Sequence, residues 1–95
     1  MSERDRYVEE TKAQLDRWNA QIDEMKAKMQ EAEADTKARY EKQLEEMRTQ
    51  RDEAQKQLEK MRAASDAAWD DVKAGVDRAW DQISDAFESA MARFR

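Results

Sequence analysis

No proline interrupts this chain, and Gly75 is its only glycine. Proline and glycine supply the restricted or left-handed backbone angles that tight turns demand. A chain almost without them has little means of building hairpins, so sandwiches, barrels and α/β folds are excluded in favour of helices. With 95 residues there is material for one domain and not for two. The expected fold class is therefore all-α, a single helical domain over residues 1–95.

Helical spacing of the apolar residues supports this. After Ser2, which with Asp5 three positions on approximates a capping box, a stripe runs through Val8, Thr11, Leu15, Trp18, Ile22, Met25, Met29, Ala32 and Thr36. Its steps of three and four form heptads, the pattern of a narrow coiled-coil seam. The steps then change to Tyr40, Leu44 and Met47. Eleven residues in place of seven make a stutter, which locally unwinds a coiled coil without ending the helix. Heptads resume through Arg51, Ala54, Leu58, Met61, Ser65, Ala68 and Val72. Arg51 on the seam either sets register or carries its charged head out to water. Since the stripe stays in phase, one charged helix is expected over residues 2–62, with a stutter near 36–47. A turn near 33–36, capped by Asp35 or Thr36, is the alternative.

From Asp66 the chain repeats every eleven residues. Residues 66–76 read DAAWDDVKAGV, residues 77–87 DRAWDQISDAF, and residues 88–95 ESAMARFR. Eleven residues over three turns lie close to the natural period of an α-helix. Trp69, Val72, Val76, Trp80, Ile83, Phe87, Met91 and Phe94 accordingly share one face, and an amphipathic helix is expected over 66–94. Ser65 or Asp66 could cap it. Burying each large apolar side chain is worth roughly 1.5–3 kcal/mol, so such a face requires a partner.

Sixteen of the apolar residues are alanine, which leaves a thin supply of large side chains for a core. Narrow seams shared between chains suit that supply, so a homo-oligomeric helical assembly is expected. Its interface residues are Leu15, Trp18, Ile22, Met25, Leu58, Met61, Trp69, Val72, Val76, Trp80, Ile83 and Phe87. The alternative is a monomeric bundle of three helices of about thirty residues, turning near Asp35 and Ser65. The narrow stripes argue against it, because a three-helix core calls for a wider apolar face.

Composition removes most chemistry. Without histidine or cysteine there is no imidazole base, no thiol nucleophile and no zinc-thiolate site. No phosphate-binding glycine loop or EF-hand spacing occurs, and no catalytic, cofactor or metal site is expected. Asp66, Asp70 and Asp77 read as a solvated helix face; catalytic paired acids would need a water-excluding cleft. Twenty-three acids against 18 bases give a net charge of −5, unfavourable for nucleic acid. The acids flanking Trp69 and Trp80 argue likewise against base stacking. A lipid surface could cover the face of 66–95, but that segment has seven acids to four bases, whereas interfacial helices usually carry a basic polar face. A partner helix is preferred, with the lipid surface as the alternative. No stretch resembles a signal peptide or membrane span, which gives a cytoplasmic expectation.

Residues 6–23 (RYVEETKAQLDRWNAQID), 40–48 (YEKQLEEMR), 51–59 (RDEAQKQLE) and 68–80 (AWDDVKAGVDRAW) together resemble a family of short coiled-coil stress-response proteins of proteobacteria and cyanobacteria. Where that family carries Ser-Gly-Asp, this chain has Ala64, Ser65 and Asp66. The resemblance implies a bacterial, non-enzymatic protein and no catalytic residues. The expected function is thus a self-associating structural or interaction protein linked to stress.

Overall fold

The computed structural model describes residues 2–93, which form three helices: α1 over Glu3–Glu31, α2 over Ala34–Ala63 and α3 over Trp69–Ala92. The fold is all-α. The 2–62 rod is not what forms. A continuous helix of that length would measure about 90 Å, whereas the bundle spans 53 × 20 × 17 Å. The three-helix alternative describes the chain instead, and Phe94 lies outside the described residues.

Both turns are made without glycine or proline. Ala32 and Glu33 alone leave the helical region, both with extended backbone. The Ala32 N–H closes α1 by donating to the Met29 carbonyl at 3.1 Å, and the Lys37 N–H opens α2 by donating to the Glu33 carbonyl at 2.7 Å. The break falls just before the expected cap, and neither Asp35 nor Thr36 supplies it. Nothing local forces it, since every nearby residue tolerates a helix. Long-range burial decides. Folded back, α1 sets Leu15, Trp18 and Ile22 into one core with Leu44, Met47 and Leu58 of α2.

The second turn departs from its sequence reading, since neither Ser65 nor Asp66 is the N-cap of α3. The Ser65 Oγ accepts from the Ala68 N–H at 3.2 Å and so closes the turn that precedes α3, while Ala68, the N-cap of α3, has no side-chain cap. At the start of α1 the Ser2 side chain accepts from the Asp5 N–H, also at 3.2 Å.

The helices run up, down and up. Helix α2 packs closely on both neighbours, whereas α1 and α3 run parallel and meet through long side chains. The central helix therefore needs two buried faces. One is the apolar seam Leu44, Met47, Ala54, Leu58 and Met61; the other includes Gln43 and Gln57, both more than nine-tenths buried. This second face answers the objection that the stripes are too narrow. Arg51 does not enter the core: it lies at the rim, donating to Asn19 Oδ1 of α1 at 3.1 Å and pairing with Asp52 at 3.0 Å.

The Oε1 atom of Gln43 is buried with no hydrogen-bond partner among the described residues. A buried acceptor left unpaired costs about 1–3 kcal/mol. Gln43→Leu should accordingly raise the unfolding free energy by about 1 kcal/mol in urea titrations.

Candidate functional site

All twelve residues assigned to interfaces lie in one intrachain core. Leu15, Trp18, Ile22, Leu58, Met61, Trp69, Val76, Ile83 and Phe87 are buried, and Met25, Val72 and Trp80 pack against them half-buried. The chain supplies its own partner for each seam. The sequence identifies these side chains as buried but not what buries them, because a seam looks the same whether its partner is a neighbouring helix or another molecule.

An aromatic stack holds α1 to α3. The Trp18 ring lies between two rings of α3, with centroids 5.2 Å from Trp80 and 4.2 Å from Phe87 and interplanar angles of 1° and 9°. Trp80 and Phe87 stand seven residues, about two turns, apart on one face of α3, and the α1 indole fits the gap between them. Nearer the helix starts, Tyr7 meets Trp69 edge-on at 5.5 Å, and the Lys73 Nζ lies 5.7 Å from the Tyr7 ring centroid. These bulky contacts prop α1 and α3 apart. Between them runs an open cleft of about 590 Å³ lined by Arg6, Tyr7, Arg17, Asp77 and Trp80 among others.

A polar cluster closes one end of the bundle, where the start of α1 meets the α2–α3 turn. The Glu3 Oε1 accepts from the Trp69 Nε1 and pairs with the Lys73 Nζ, each at 3.1 Å. Arg4 donates to the Ala64 carbonyl at 2.6 Å and pairs with Asp66 at 3.3 Å. The Arg4 bond satisfies a carbonyl that the end of α2 leaves open. The Lys73 hydrogen bond, followed by that from Trp69, holds the Glu3 carboxyl below its ordinary value of 4.5. The same contact with Glu3 raises Lys73.

A depressed carboxylate stabilises the fold above its unfolded-state pKa, and that contribution disappears as pH falls through the folded value. The urea midpoint should therefore drop below about pH 4.5 partly through Glu3. Glu3→Gln should flatten that portion of the profile; an unaltered slope would show that the pair adds nothing.

Asp66, Asp70 and Asp77 are exposed, as a solvated face requires. Among the described residues no group of three or more acidic, histidine or cysteine side chains is placed to hold a metal ion. No described helix is long and apolar enough to cross a membrane.

A third feature escaped the sequence reading. Between α2 and α3 lies a mainly apolar groove of about 580 Å³, lined by Gln57, Ala64, Val72, Gly75 and Ala79 among others. Its available signal was the heptad spacing of Gln43, Gln50, Gln57 and Ala64, which marks a second face on α2. The chain matches no family model, curated protein or solved structure.

Proposed function

We propose that this is a non-enzymatic structural or interaction protein that self-associates through the outer surface of its bundle and serves in bacterial stress response. The observation supporting self-association is the apolar α2–α3 groove, which remains open after every seam has been filled within the chain. The stress role rests on the resemblance of residues 6–23, 40–48, 51–59 and 68–80 to coiled-coil stress proteins. Because the large apolar side chains are buried intramolecularly, association joins folded units and does not create the fold. Light scattering over a concentration series should therefore show reversible growth in mass, while helicity by circular dichroism stays constant on dilution. A mass fixed at one chain at all concentrations would refute self-association.

A second reading is favoured by the character of α3. Its face of Trp69, Val76, Ile83 and Phe87 is broad and apolar; α2 packs closely against α3, and α1 reaches it through side chains. Release of α3 would present that face to a lipid surface. Tryptophan emission should then shift to the blue with vesicles, and the protein should co-sediment with them. If neither occurs with neutral or anionic vesicles, the lipid reading fails.

A further inference from the structure

Gly75 sits inside α3 with helical backbone angles, and no described residue has a positive φ that would call for glycine. In a helix interior it costs about 1 kcal/mol relative to alanine. A Cβ built there meets nothing within 4 Å, so no close approach inside the chain requires its absence. Gly75 instead faces the open α2–α3 groove, with Ala79 one turn on and Val72 beside it. Gln57 lines the same groove. It is only 8% exposed, and its side chain makes no hydrogen bond to any described residue. Among the described residues the one buried side-chain polar atom without a partner is Gln43 Oε1, so the Gln57 amide still reaches solvent and the groove is open to a group from outside.

The charges identify that group. Asp71 and Arg78 lie four residues before and three after Gly75, so at 100° per residue they share the flank of α3 away from Val72 and Ala79. Both are exposed, and neither forms an ion pair with a described residue. A two-fold axis through Gly75 places a second α3 antiparallel to the first. Residues on one flank then meet the same flank of the other copy, in reversed order. Asp71 falls opposite the other copy's Arg78, and Arg78 opposite its Asp71. On the other flank Val72 meets Ala79 in the same reciprocal way. The pattern is self-complementary, as a two-fold contact must be.

We infer that the groove at Gly75 is a homodimer surface, in which two copies cross antiparallel through their α3 helices. This rests on the self-association reading and specifies its face. A single helix crossing is a small interface, so dissociation in the micromolar range is expected, about 1–100 μM.

Sedimentation velocity from 1 μM to 1 mM tests it with a charge exchange. Asp71→Arg alone and Arg78→Asp alone each set like charges against one another twice, and each should dimerise at least tenfold more weakly than the wild type. An equimolar mixture of the two variants pairs two arginines with two aspartates and should regain the wild-type affinity as a heterodimer. Gly75→Leu should abolish dimerisation while melting no lower than the wild type, because leucine is the better helix former and its Cβ points into open space. If the wild type associates but the single variants associate equally well, or the mixture shows no recovery, or Gly75→Leu still dimerises, the Gly75 crossing is wrong and self-association stands on another face. A wild type that stays monomeric to 1 mM overturns both.

Discussion

Replacing Phe87 with alanine should remove about half of the stability of this protein. Phe87 is fully buried, with 0% of its surface exposed, and its ring stacks on Trp18 at the centre of the core. Truncating a buried phenylalanine costs about 3–5 kcal/mol through lost transfer energy and the cavity left behind. Small domains hold a total of only about 5–15 kcal/mol. The urea midpoint should therefore fall steeply with an unchanged slope. The loss should also be independent of protein concentration, because the contacts lie within one chain. Had Phe87 served a seam between chains, the deficit would instead disappear on dilution to concentrations where both proteins are single chains. Phe87→Leu, which keeps most of the volume, should cost less than about 1.5 kcal/mol.

Trp18→Ala should be of similar size, about 3–5 kcal/mol, since Trp18 is 3% exposed and contributes both stacking contacts of α1. Its effect should not add to that of Phe87→Ala. Aromatic pairs contribute about 0.5–1.5 kcal/mol beyond their buried area, so the double variant should fall short of the sum of the singles by about 1 kcal/mol. Because Trp80 stacks on the other side of the same ring, Trp18→Ala should also red-shift tryptophan emission as Trp80 meets water. Full additivity, with no change in emission, would mean that the three rings do not act as a stack.

Two parts of this fold are written locally. The Ser2 cap and the eleven-residue apolar face of α3 each depend on residues within a few turns of one another, and each is readable from spacing. The break at Ala32 and Glu33 is of another kind. Its neighbours are good helix formers and the stripe from Met29 to Tyr40 keeps its phase, so intrinsic preference favours an unbroken helix. What ends the helix is the core that α1 and α2 make only after the chain reverses, a contact between residues as far apart as Arg4 and Ala64. Single-sequence patterns carry no such term.

The same limit explains the interface assignment. Leu15, Trp18, Phe87 and their companions were recognisable as buried, but a narrow stripe does not name its partner. The second face of α2 was harder to see because polar side chains, Gln43 and Gln57, carry part of it. Its counterpart on α3, around Gly75, combines small residues with an open groove. Gly75 was visible as an unusual residue, yet the empty space before it appears only once the helices are packed.

The reversal at Ala32 and Glu33 is the point on which the three-helix core depends, and a distance measurement tests it most directly. The chain has no native cysteine, so Glu9→Cys and Glu59→Cys, both on exposed helix positions, can carry spin labels without interference. Pulsed dipolar spectroscopy in an excess of unlabelled protein then reports only distances within one chain. The bundle is no more than 20 Å across its short axes, and the labels should fall at about that separation allowing for their arms. A distance near 75 Å, the span of some 50 helical residues at about 1.5 Å each, would restore the continuous rod and contradict the intrachain core.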